Sequence, residues 1–103
     1  PSQSLSSESH VSARPGYASA YFNRGNSRRE SREYEAAAAD YTLAIQHKPD
    51  YWEAYANRGQ ARRSLGDAAG AISDFEHVLR EAPSDWAFRG KVAGWLEAAR
   101  RPQ

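Results

Sequence analysis

A chain of 103 residues has room for one domain with a small core, in which a catalytic cleft is hard to accommodate. Its 14 lysines and arginines face 13 aspartates and glutamates, for a formal net charge of +1, which argues against a protein built chiefly to neutralise a phosphate backbone. The absence of cysteine excludes disulfides, thiolate metal sites and a cysteine nucleophile, and no apolar run approaches the roughly 20 residues that cross a bilayer.

The chain opens at Pro1 and contains no methionine, so it is expected to be a processed or excised piece of a longer protein whose compartment is not legible. Residues 1–15 carry serine after serine with only Leu5 and Val11 as sizeable aliphatics. Such a stretch buries too little to offset the entropy of ordering and is expected to be a disordered tail, with a single domain over 16–103.

A first helix is expected from Gly16 or Tyr17 to about Ser31, with Tyr21, Gly25 and Arg28 at helical spacing. A second starts near Glu33 and carries Tyr34, Ala37, Ala38, Tyr41, Ala44 and Ile45 on one stripe. Lys48-Pro49 ends it, because the residue before proline is pushed out of the helical region. Asp50, with Glu53 three residues on, reads as a capping box for a third helix over Tyr51 to Ser64. Gly66-Asp67 supplies a left-handed stop and the next N-cap, and a fourth helix buries Ala71, Ile72, Phe75, Val78 and Leu79. Ala82-Pro83 closes it, and Ser84 or Asp85 is placed to cap a fifth helix reaching about Arg101, with Trp86, Phe88, Val92, Trp95 and Leu96 to dock it.

These elements repeat. Tyr21-Phe22-Asn23-Arg24-Gly25 returns as Tyr55-Ala56-Asn57-Arg58-Gly59, Arg28-Arg29 as Arg62-Arg63, Asp40-Tyr41 as Asp74-Phe75 and Pro49 as Pro83. The step is about 34 residues, the period of a helix-turn-helix unit that buries its apolar face only by stacking on a copy of itself. Gly25 facing Ala37, and Gly59 facing Ala71, would let paired helices approach near the close end of the usual range, about 8 Å. Arg24 with Asp40, and Arg58 with Asp74, recur together and are expected to pair across each hairpin, as exposed ion pairs adding about 0 to 1 kcal/mol. The fifth helix breaks the pattern, as a solvent-facing end of a stack does.

Together these residues resemble the tetratricopeptide repeat family, in Tyr21, Gly25, Ala37, Tyr41, Ala44 and Pro49 of the first unit and Tyr55, Gly59, Ala71, Phe75, Val78 and Pro83 of the second. The resemblance implies an all-α, right-handed solenoid of helical hairpins: two repeats over about 18–51 and 52–85 and a capping helix over about 85–101. Arg24, Arg28, Arg58 and Arg62 replace the leucine and aromatic residues that the family commonly has, and Arg32 replaces the usual glycine of the first inner turn.

The resemblance also implies function: a partner peptide held in a concave groove lined by the first helix of each unit. Transferred here, the groove comprises Ser19, Phe22, Asn23, Asn26 and Arg29, then Glu53, Ala56, Asn57, Gln60 and Arg63, then Ala87, Gly90, Lys91 and Gly94. Amides suit a peptide backbone, and Arg29, Arg63 and Lys91 suit an acidic partner. The carboxylate clamp of some family members is present only in part, since Asn26, Asn57 and Lys91 match while Phe22 and Ala87 stand where basic residues belong.

Other classes find less support. The arginine pairs lack the aromatic or glycine pattern of a nucleic-acid module, so no nucleic acid is expected. His10, His47 and His77 have no ligand partner at helical spacing, no serine sits in a nucleophile motif, and neither an enzyme, a metal nor a cofactor is expected. Two units fall short of the three usually needed for independent stability. A homodimer closing the stack through Trp86, Trp95, Gly90 and Gly94, or through Tyr17 and Phe22, is therefore the alternative use of the surface.

Overall fold

The computed structural model describes residues 15–101, which form five α-helices: α1 Pro15–Glu30, α2 Tyr34–His47, α3 Trp52–Ser64, α4 Ala68–Glu81 and α5 Arg89–Arg100. The serine-rich stretch expected to be disordered lies outside the described residues up to position 14. Each helix packs on the next, and α1 also meets α3 as α3 meets α5. This gives a two-layer stack in which α1, α3 and α5 share one face. No strand occurs among the described residues.

The turn inside each hairpin is the same object written twice. Glu33 N–H donates to Arg28 O at 2.8 Å and Arg32 N–H to Arg29 O at 3.0 Å; Asp67 N–H donates to Arg62 O at 2.8 Å and Gly66 N–H to Arg63 O at 3.0 Å. Both are Schellman closures, which need a left-handed residue after the helix. Gly66 takes φ 86°, and Arg32, at the equivalent place, is forced to φ 64°. Asp67 caps α4 as expected, accepting from Gly70 N–H at 2.9 Å. At the other junctions Lys48 and Ala82 are extended, as residues before a proline must be.

Two expected caps are not formed. The N-cap of α3 is Tyr51, without a side-chain bond, so Asp50 and Glu53 make no capping box. Backbone bonds close this turn instead, Tyr51 N–H to Lys48 O at 3.1 Å and Trp52 N–H to Asp50 O at 3.0 Å, while the Tyr51 ring stacks on Phe22 at 4.8 Å. Helix α5 begins at Arg89 rather than after Ser84 or Asp85, with Phe88 as its N-cap. Residues 84–88 turn on Trp86 N–H to Pro83 O, and the Arg89 guanidinium donates to Leu79 O at 2.7 Å and Ala82 O at 3.1 Å. Arg89 thereby satisfies open carbonyls at the C-terminus of α4 and holds the fifth helix one turn later than the repeat dictates.

Two apolar clusters form the core. Ala37, Tyr41 and Ala61, with Phe22 and Ala38 against them, join the two units. A larger cluster of Ala56, Ala71, Phe75, Val78, Ala82, Val92, Leu96 and Ala99 joins the second unit to α5, with Trp52, Trp86 and Trp95 packed on it. Of the residues expected to dock α5, Phe88 stays 45% exposed. The glycines also act differently from expectation. A side chain at Gly25 would meet the Tyr41 ring at 2.8 Å, and one at Gly59 the Phe75 ring at 2.6 Å, so each glycine accommodates an aromatic ring rather than a facing alanine.

The repeated Arg–Asp pairs are present and stronger than an exposed pair. Arg24 grips Asp40 with two bonds, 3.0 and 2.7 Å, and Arg58 grips Asp74 with the same two lengths. Arg28 adds a contact to Asp40 at 3.3 Å and Arg62 one to Asp74 at 3.1 Å. The aspartate side chains are only 2% and 4% exposed, so each hairpin encloses an anion that needs its arginines. The units differ at the cation: the Arg24 side chain is 52% exposed and that of Arg58 14%, because Arg58 also bonds Thr42 Oγ1 of the preceding hairpin at 3.1 Å.

Two stability comparisons follow from this packing. Gly59→Ala gains up to about 1 kcal/mol of helix propensity but loses about 1–3 kcal/mol to overpacking, a net loss; Gly94→Ala, with open space around its Cβ, should gain about 0.5–1 kcal/mol. Urea denaturation that moves both midpoints in one direction would contradict this assignment. Asp74→Asn, which leaves a largely covered arginine without its anion, should cost about 3 kcal/mol, and Asp40→Asn clearly less, since Arg24 turns readily to water.

Candidate functional site

The face shared by α1, α3 and α5 carries two concavities. The first, about 130 Å³, is lined by Phe22 of α1, Glu53, Ala56 and Asn57 of α3, Trp86 and Phe88 of the turn, and Lys91, Val92 and Trp95 of α5. Its apolar character has a repeat logic. Tyr41 of the first unit is covered by Phe22, ring to ring at 5.8 Å, and by Ala61. In the second unit Ala56 stands at the Phe22 position and Trp95 at the Ala61 position, the latter covering Phe75 at 6.0 Å. A small residue where the first unit has a phenylalanine leaves the hollow, and tryptophans of the terminal element wall it.

The second concavity, about 380 Å³, lies where α1 and α3 end and α2 begins. Arg29, Tyr34, Gln60, Arg63 and Ser64 line it. Between the two runs a polar strut: Tyr41 Oη donates to Asn26 Oδ1 at 2.6 Å, Asn57 Nδ2 donates to the same oxygen at 3.0 Å, and Arg29 Nε donates to Tyr41 Oη at 3.2 Å. Asn26 is thus engaged in joining the units, and one edge of Arg29 is fixed.

The residues expected to line a groove are therefore distributed. Phe22, Ala56, Asn57 and Lys91 meet in the apolar cleft, and Arg29, Gln60 and Arg63 in the polar concavity. Asn26 lies in the strut, and Asn23 is exposed on α1 and lines neither. Ala87 sits in the turn before α5 rather than on a helix, and Gly90 and Gly94 line neither concavity. Sequence reasoning missed Trp86, Phe88, Val92 and Trp95 as lining residues because it assigned them to docking α5, and Trp86 and Trp95 alternatively to a dimer surface; that Trp95 stands one period after Ala61 was the available signal. It missed Tyr34 and Ser64 as well, for which the pattern offers none.

The arginine pairs separate by position. Arg28 and Arg62 are bound to Asp40 and Asp74, whereas Arg29 and Arg63 meet no carboxylate among the described residues. His47 packs on Tyr21 and Tyr17, and His77 on Tyr55 and Trp52. Among the described residues no three histidine, aspartate or glutamate side chains gather as a metal site, and no helix is long and apolar enough to cross a membrane.

Comparison with protein families finds the Tetratricopeptide repeat at residues 18–51 and 53–85. The chain belongs to that family, with two consecutive repeats followed by a further helix. No match was found among curated proteins. Repeats of this family are generally protein–protein interaction modules and non-catalytic scaffolds.

Burial pushes the Tyr41 phenol above its ordinary value, against the opposing pull of Arg29. The neutral phenol is the form the fold prefers, so its contribution is complete below the ordinary tyrosine value of about 10 and is lost as pH climbs through the higher folded value. Tyr41→Phe should cost about 0.5–1.5 kcal/mol at neutral pH and flatten the alkaline loss of stability. Denaturant midpoints measured against pH for both proteins check this.

Proposed function

We propose that the shared face of α1, α3 and α5 binds a peptide of a partner protein, seating one large apolar side chain in the cleft beside Phe22, Trp86 and Trp95. The observation that supports this best is the cleft itself: an apolar hollow walled by every element of that face and rimmed by a few polar groups, the usual make-up of a recognition site. The Asn57 side-chain amide donates its N–H to Asn26, and its Oδ1 has no hydrogen bond among the described residues, which suits it to accept a peptide N–H. Exposed Lys91 favours an acidic neighbour of the anchoring side chain, with Glu53 on the same rim restricting where it sits.

Selection from a displayed peptide library should return sequences with a large apolar residue next to an acidic one. Titration calorimetry with the best of them should show Lys91→Glu and Phe88→Asp each weakening binding roughly tenfold or more, while Arg80→Glu on the exposed side of α4 changes nothing. Equal affinity in all four proteins rules the cleft out. Sedimentation velocity of the same samples separates the alternative: peptide binding by a monomer is the expected result, and a dimer that binds no selected peptide would favour self-association through this face.

A further inference from the structure

The polar concavity at the far end of the same face has a composition of its own. Every side chain lining it carries a hydrogen-bond donor: the guanidinium groups of Arg29 and Arg63, the hydroxyls of Tyr34 and Ser64, and the amide of Gln60. No carboxylate lines it. The repeat-related Arg24, Arg28, Arg58 and Arg62 are all bound to aspartate, so the half-buried Arg29 and Arg63, which meet no carboxylate among the described residues, stand apart. Arg29 is also pre-oriented, since its Nε is held by Tyr41 Oη at 3.2 Å while its two terminal nitrogens have no partner among the described residues.

We propose that this concavity is a binding site for a tetrahedral oxyanion, a phosphoryl or sulfate group, carried by a phosphorylated side chain of a partner or free in solution. The number and origin of the donors favour this over a carboxylate. A carboxylate presents two oxygens in one plane, and even the buried carboxylates of Asp40 and Asp74 are each served by two guanidinium groups from one helix. Donors arriving from α1, α2 and α3, two of them cationic, match an anion with three terminal oxygens and nearly two negative charges. The volume of about 380 Å³ admits such a group together with the side chain that bears it. Glu30, near enough to act on the Tyr41 phenol, lies outside the lining and moderates the attraction without occupying the site.

This inference stands independently of the apolar cleft, because none of the five lining residues belongs to it. The test is a titration of the full chain with sodium phosphate, and separately with sodium sulfate, at constant ionic strength set by chloride, followed through backbone amide shifts. Saturable shifts at Gln60, Arg63, Ser64 and Tyr34 are expected, weakened roughly tenfold or more in Arg29→Ala and in Arg63→Ala and unchanged in Arg80→Ala. Shifts that chloride reproduces, or that both arginine variants retain, overturn the proposal. Should the variants fail to fold, Arg63→Lys, which keeps the charge but loses the fork, supplies the same comparison. A phosphoserine peptide and its unphosphorylated form are the second arm. Tighter binding of the phosphorylated form assigns the ligand to a modified partner, and phosphate binding without that preference assigns it to the free anion. Capture of a short oligonucleotide in preference to both would refute the assignment.

Discussion

A helical hairpin of alanine, glycine and aromatic residues cannot shield its own apolar side, and the whole structure depends on how two of them meet. The meeting is made at the α2–α3 junction, where Ala61 covers Tyr41, Arg58 reaches back to Thr42, and Asn57 shares the Asn26 oxygen with Tyr41. Apolar contact supplies the driving force there, and the directional bonds fix the register at which one unit sits on the other. The concave face is a by-product of that register. Only when α1, α3 and α5 are held side by side do Phe22, Ala56 and Trp95 bound one hollow.

Within each hairpin the same economy of parts appears. A glycine admits an aromatic ring, a buried aspartate takes two arginines, and a Schellman turn closes the corner. The two copies nonetheless differ in quality. In the first, Arg24 bonds only Asp40 of its own hairpin among the described residues, and an arginine holds the left-handed region at position 32, a conformation that costs an L residue about 1–2 kcal/mol. The second has glycine at that corner, covers Arg58 better, and gains the apolar packing of α5. Stability is therefore weighted toward the C-terminal side of the stack, and the polar concavity lies partly on the less supported first hairpin.

Much of the fold was legible because a repeat states each constraint twice. The spacing of Arg24 to Asp40 and of Arg58 to Asp74 was enough to expect the ion pairs, although not their burial, which arises from the neighbouring helix and has no trace in the pairing itself. The caps of α3 and α5 were misread for a related reason. Asp50 and Ser84 have suitable chemistry, but ring stacking of Tyr51 on Phe22 and the reach of Arg89 to the α4 carbonyls decide where those helices start. The groove residues were transferred as a uniform stripe, whereas the structure divides them between an apolar and a polar concavity, because Asn26 and Tyr41 occupy the middle. That division arises from contacts between units, which one strand of residues at helical spacing does not display.

Native-state hydrogen exchange tests the stacked arrangement most directly. As denaturant is raised, amides of α2, α3 and α4 should converge on a single opening reaction, because the Tyr41–Ala61 and Thr42–Arg58 contacts make the hairpins one cooperative body, with α1 fraying earlier. Two separate openings, one per hairpin and each indifferent to substitutions in the other, would contradict the account.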